Sequence, residues 1–142
     1  MARKIALKRK ISVDKLSELA LKDKTIDREI DSIHNKIQGS FVLDSRIAFK
    51  FFPDSFKIFL YCKPEIAAKR ILKDKRAAES YSLQDTKKEI ERRERLDILR
   101  YKKYYDINII DFKNYDLVID SSNMSEEKVN NAVLNALRSI YL

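Results

Sequence analysis

Three short runs of aromatic and β-branched residues interrupt a chain otherwise patterned for helices, and they constrain its architecture more than any other feature. They are FVL at 41–43, FKIFLYC at 56–62 and YDLVIDSS at 115–122, each ending in polar residues. Runs of this length and composition read as strands, and Pro53-Asp54 marks a turn between the first two. The stretches between the strands carry a helical period. Strands joined through helices favour right-handed crossovers and a parallel sheet covered on both faces. The expected class is α/β, a three-layer α/β/α arrangement with a short parallel sheet.

The helices announce themselves by their caps. Ser12 is an N-cap candidate ahead of Leu16, Leu19 and Ala20. From Thr25 the series Ile26, Ile30, Ile33, Ile37 is helical, with Gly39 placed as the residue that ends it. Pro64 opens a helix at its first position, running through Glu65 and Arg70 towards Ala78. Ser82 and Asp85 have capping-box spacing before a long charged helix that reaches about Tyr105. Ser125 caps a last helix with Val129, Val133, Ala136, Leu137 and Ile140 on one face. With no repeat and no linker, the sequence suggests one domain over 1–142. Its segments are a helical 1–39, strands and a helix over 40–80, the charged helix at 81–106, and a strand and helix over 107–142.

A chain of 142 residues, 44% hydrophobic and 37% charged, has the size and balance to bury a core. No stretch approaches the roughly 20 apolar residues of a membrane span, and the N-terminus has no signal-peptide core. Cys62 is the single cysteine. Its apolar surroundings suggest a buried thiol, and the absence of a possible internal disulfide fits a reducing cytoplasm. The net charge of +8 favours anionic partners without choosing among them. Glycine is more discriminating. With Gly39 alone, these residues hold neither G-x-x-x-x-G-K-[ST] nor G-x-G-x-x-G.

In open α/β sheets ligands bind at the carboxyl ends of the strands. That rule singles out Asp44, Ser45 and Arg46, then Cys62 and Lys63, then Asp120 to Ser122. An arginine there offers a planar fork to phosphate, and an acid beside it can orient a sugar hydroxyl. The plain alternative is a turn-forming Asp44 with a solvated Arg46. In IERRERLDILRYKKYY (90–105), Arg93, Asp97 and Arg100 share one helical face. A central acid there can hold two guanidinium groups towards one polyanion, or all three can be exposed ion-pairing residues. Tyr101, Tyr104 and Tyr105 are spaced for packing against the sheet. Arg3, Lys4, Lys8, Arg9 and Lys10 make a basic helix end. His34 is the only histidine and has no cysteine or histidine companion, so it reads as surface or structural, and no metal site is arguable.

In their order and spacing these segments resemble the cytidylate kinases, in particular the archaeal-type branch of the P-loop nucleoside monophosphate kinases. ARKIALKRK matches the family's first helix of the monophosphate-binding segment, and DKTIDREIDSIHNK (23–36) its D-x-x-I-D-like helix. FVLDSR matches a strand ending in an acid, a glycine and an arginine. The lid pattern R-x-x-x-D-x-x-R falls on Arg93, Asp97 and Arg100. YKKYYDINIIDF and YDLVIDSS follow in family order. The resemblance implies that ATP and Mg2+ serve a (d)CMP kinase reaction, ATP + (d)CMP to ADP + (d)CDP. It also implies that Arg3 and Arg46 would grip the phosphate of CMP or dCMP while Asp44 positions that nucleotide. Arg93, Asp97 and Arg100 would belong to a closing lid, and Arg70 would lie near the donor nucleotide. Such a division suits phosphoryl transfer, where catalysis is positioning plus positive charge around the moving group.

Departures from the pattern accompany it. Ser45 replaces the family's glycine, and Asp74, flanked by Lys73 and Lys75, replaces a basic residue. The family's strand, Gly-rich loop with its lysine, helix and second strand before the position of Arg3 are not in this sequence. The missing strand would normally lie between those ending at Asp44 and Cys62, leaving a gap of about 10 Å. Direct pairing, a second chain completing the sheet, or a truncated gene product are the three resolutions. The expectation for this chain alone is negligible kinase activity with some monophosphate affinity. Arg28 and Asp31 are candidates near the base. The alternative is a non-catalytic basic remnant binding nucleic acid or an acidic protein, with steeply salt-dependent affinity.

Overall fold

The structure is a computed structural model that describes residues 2–74 and 82–141, with backbone alone at 2–4, 14 and 141. It is mixed α/β. In chain order the helices α1 (Ala2–Lys8), α2 (Val13–Lys22), α3 (Lys24–His34) and the short α4 (Ala48–Phe51) precede strand β1 (Ile58–Tyr61). Then come α5 (Pro64–Lys73), α6 (Leu83–Tyr105), β2 (Leu117–Asp120) and α7 (Glu126–Tyr141). The chain forms two compact units, one of residues 1–55 and 92–111, the other of 56–91 and 112–142.

The caps form as the sequence suggests. Ser12 Oγ accepts from Lys15 N at 3.0 Å, and Ser125 Oγ from Lys128 N at 3.3 Å. At the head of α6, Ser82 Oγ accepts from Asp85 N at 3.1 Å and donates to Asp85 Oδ2 at 2.6 Å. Such contacts satisfy amides that the first turn leaves without intrahelical partners. Asp23 does two jobs at once. It ends α2 with its N–H on Leu19 O and caps α3 by accepting from Thr25 N.

Two sequence expectations need correction here. Residues 41–43 form no strand. Phe41 is exposed and Val42 fully so, and the described sheet holds two strands only, β1 parallel to β2 with Ile58 opposite Leu117. Apolar composition gives a segment strand propensity but cannot supply the neighbour whose amides complete a ladder. Helix α3 also stops early, at His34, with Asn35 N on Asp31 O. Gly39 lies beyond it with φ +72°, a left-handed bend in the following loop rather than the helix end. The course of α5 towards Ala78, and Lys75, lie outside the described residues.

In the first unit Ile5, Ala6, Leu16, Ala20 and Ile26 bury the seam of α1, α2 and α3. A second cluster, Ile47, Tyr101 and Ile109, is joined by Phe51, Ile98 and Tyr105. In the other unit Phe59 of β1 packs against Phe112 and Tyr115, and Ala68 and Ile119 are buried. Asp116 Oδ2 accepts from Lys57 N at 2.7 Å, tying the starts of β1 and β2 together.

Candidate functional site

Helix α6 presents Asp97 and Arg100 on successive turns of its buried face, where the spacing of apolar Ile98 and Tyr101 draws that side inward. An acid held there needs cations. Asp97 Oδ1 takes Arg100 Nη2 at 3.0 Å, and Asp97 Oδ2 takes Arg46 Nη1 at 2.9 Å. Arg46 arrives from the loop after 41–43 and remains 44% exposed, while Asp97 is 3% exposed. The acid thus gathers two guanidinium groups from distant parts of the sequence. A guanidinium has five N–H donors, so Arg46 keeps several for an anion after spending one on Asp97.

Arg100 is further fixed. Its Nη2 donates to Tyr101 Oη at 2.6 Å, its guanidinium lies 4.5 Å from the Tyr101 ring, and its Nε faces Asp27 Oδ1 at 3.6 Å. Asp27 is buried on α3, and burial pushes its carboxyl up to about 6 although Arg100 pulls the other way. Burial likewise raises the Tyr101 phenol. Tyr105, also raised by burial and by its bond to an acceptor, donates to Asp31 Oδ2 at 2.6 Å.

Behind Asp31, His34 is 1% exposed, stacked on Phe51 at 4.7 Å and hydrogen-bonded through Nε2 to Ser45 Oγ at 3.2 Å. Burial lowers its pKa and keeps the imidazole neutral. Of the two roles the sequence left for His34, the structural one holds. Ser45, standing where the resemblance expects glycine, anchors the loop that carries Asp44 and Arg46.

The tyrosines correct a further expectation. Tyr104 Oη donates to Leu21 O at 2.8 Å and Tyr105 to Asp31, so these rings pack on the helices α2 and α3 rather than on strands. Of the residues singled out from the sequence, Arg46, Asp97 and Arg100 come together. Arg93 is half-buried one turn earlier on α6, and Asp44 is exposed beside Ser45. The Arg3 side chain lies outside the described residues. Asp27 was missed. Its signal was available, since Asp27, Ile30 and His34 share one face of α3 with i, i+3, i+7 spacing, which places an acid among buried positions.

Arg70 belongs to the other unit. Its Nη2 donates to Ser121 O at 2.7 Å and Met124 O at 3.1 Å, and Nη1 reaches Ser121 Oγ at 3.5 Å and Cys62 Sγ at 3.6 Å. Cys62 is half-buried, not the core thiol expected, and its Sγ accepts from the Arg70 guanidinium. Beside it Ser122 Oγ accepts from Lys63 N at 2.9 Å, joining the carboxyl ends of β1 and β2. Arg70's fork is thus engaged by carbonyls at the end of β2. Among the described residues no group of three or more His, Cys, Asp or Glu is arranged to hold a metal ion. With Gly39 alone, the 142 residues hold no glycine-rich phosphate loop of either common kind.

A mixed α/β protein in which a buried acid collects two arginines beside an open loop has the chemistry of an anion-handling protein. The sequence model of the cytidylate kinase-like family matches residues 2–123, and the chain belongs to that family. It is 32% identical to the cytidylate kinase of Methanothrix thermoacetophila, covering 97% of this chain and 79% of that protein. The cytidylate kinase of Methanocella arvoryzae is 30% identical over 95% and 77% of the two chains, and that of Methanosarcina acetivorans 34% over 87% and 71%. No solved structure matches.

Proposed function

We propose that this chain supplies the acceptor side of a cytidylate kinase reaction, in which ATP phosphorylates CMP or dCMP. Arg46 and Arg100 serve the acceptor phosphate. Asp97 sets their separation, and Asp44 orients the nucleotide sugar. Arg3 from α1 and Arg93 from α6 complete the positive lining. The observation that carries this reading is the Arg46–Asp97–Arg100 network, since it joins an arginine of the loop after 41–43, which the resemblance gives to the acceptor phosphate, to an arginine of α6, which it gives to the lid. Positive charge preassembled around a phosphoryl group is what such transfer requires of a protein.

The donor phosphates are a different matter. The 142 residues contain no phosphate loop, so turnover by these residues alone is expected to be negligible while CMP binding persists. Calorimetric titration of the full chain with CMP at physiological salt tests the first part, and a coupled assay with CMP and Mg-ATP the second. Saturable CMP binding without turnover supports the reading. Turnover near ordinary kinase rates overturns its second part. Absence of CMP binding, with polynucleotide binding that collapses as salt rises, overturns it entirely in favour of the nucleic-acid alternative.

A further inference from the structure

The slot that His34 fills is lined by aromatic rings. The imidazole is 1% exposed, stacked on Phe51 at 4.7 Å and edge-on to Phe52 at 6.3 Å. A phenyl ring would suit such surroundings without giving up hydration, whereas the imidazole leaves Nδ1 buried with no hydrogen-bond partner among the described residues. What the imidazole adds is the contact of Nε2 with Ser45 Oγ at 3.2 Å. That bond forms in either neutral tautomer, since a serine hydroxyl both donates and accepts. A glycine at 45, as in the family pattern, has no hydroxyl and would remove this contact. His34 and Ser45 are therefore a matched pair, and the pair is a departure from that pattern.

The pair sits where it can govern Arg46. Residues 40–47 form no helix or strand, so no backbone ladder fixes them. Three successive residues of this loop are held by different partners: Ser45 by His34 of α3, Arg46 by Asp97 of α6, and Ile47 by the cluster with Tyr101 and Ile109. Arg46 is 44% exposed, and an ion pair so open to water does little by itself to fix a side chain.

We infer that His34 is a positioning residue for the acceptor phosphate, holding the loop through Ser45 Oγ so that Arg46 stands ready beside Asp97 and Arg100. The inference rests on the acceptor-side reading above. His34 touches no phosphate itself. Without its bond the loop spreads Arg46 over many placements, and phosphate binding must then order it.

The test is calorimetric titration of the full chain with CMP and cytidine, with circular dichroism to verify folding. The ratio of the two affinities reports the phosphate. Ser45→Ala and His34→Phe are each expected to lower that ratio about threefold to tenfold, the value of one hydrogen bond, with cytidine affinity unchanged. His34→Gln places an amide nitrogen near the position of Nε2 and is expected to stay within about twofold of the wild type. In an Arg46→Ala background, Ser45→Ala is expected to change the ratio no further, because its effect passes through Arg46.

If the wild type binds no CMP, the acceptor-side reading fails and this inference with it. If CMP binds and Ser45→Ala keeps the wild-type ratio, or lowers it equally without Arg46, only the positioning role is overturned. A ratio in His34→Gln as low as in His34→Phe would also overturn it, since the bond would not be what matters. Should His34→Phe fail to fold, Ser45→Ala decides alone, as Ser45 lies in a loop and is only partly buried.

Discussion

Arg46 Nη1 lies 2.9 Å from Asp97 Oδ2, an arginine open to solvent pinned by an acid that is almost wholly buried. The asymmetry decides what each partner does. Asp97 cannot leave without stranding Arg100, which is 7% exposed and has its other donor contacts on the same network. Arg46 can release its carboxylate and be hydrated. The first is a structural hub and the second a recruitable charge.

Replacing Asp97 by Ala is therefore expected to destabilise the fold by about 3–5 kcal/mol, the usual consequence of leaving one member of a buried pair uncompensated. Asp97→Asn keeps the shape and one acceptor for buried Arg100, while its N–H2 faces the half-exposed Arg46, which can turn to solvent, and it is expected to cost less. Urea denaturation followed by circular dichroism measures both. A loss below about 1 kcal/mol in Asp97→Ala would show that Arg100 finds other partners.

Arg46→Ala should behave in the opposite way. An ion pair with a half-exposed partner contributes about 0–1 kcal/mol to stability, so the melting transition is expected to shift little. Affinity for CMP is expected to fall about tenfold or more, the value of a charged hydrogen bond to phosphate, with cytidine affinity unchanged. Equal losses for CMP and cytidine would remove Arg46 from the phosphate.

The difference between these residues was only half legible in the sequence. The i, i+3 relation of Asp97 and Arg100 follows from helical geometry and could be read directly. The same is true of the caps at Ser12, Ser82 and Ser125, because a cap is decided within four residues. The partner of Asp97 from the loop at 46 is a tertiary fact, as is the lack of any partner for 41–43. Both segments carried local signals, an arginine after an acid and an apolar run, and those signals could not say what lay opposite. Asp27 shows the converse limit. Its face was readable from Ile30 and His34, yet an acid in a charged sequence draws no notice until its burial is seen.

Arg70 leads to a prediction that separates its two possible tasks. Its fork meets Ser121 O and Met124 O in the turn that follows β2. Arg70→Lys retains the charge but has one ammonium where two directed N–H groups are needed. It is expected to lose about 1–2 kcal/mol of stability, nearly as much as Arg70→Ala, without altering CMP affinity. A lysine variant as stable as the wild type would mean that charge, and not the fork, matters at the end of β2.

The buried acid and the buried imidazole on α3 make opposite contributions to the dependence of stability on pH. Asp27 titrates at about 6 in the fold against an ordinary value of 3.8, so between those values the folded chain holds the proton more firmly. Its contribution makes stability rise as pH falls from about 7 towards 4. The shift corresponds to at most about 3 kcal/mol, and relaxation around the charge reduces that to about 1–2 kcal/mol. His34 is held below its ordinary value by burial, so its contribution is complete above 6.5 and is lost as pH falls and the imidazole must charge. The two trends offset each other in the wild type. Asp27→Asn removes the first and is expected to lose stability steeply on acidification. His34→Phe keeps a ring against Phe51, removes the second, and is expected to gain stability over the same range. Urea midpoints at pH 7, 6 and 5 for the three proteins test this. Parallel curves for the wild type and Asp27→Asn would show that the Asp27 carboxyl titrates in its ordinary range and that its burial does not burden the fold.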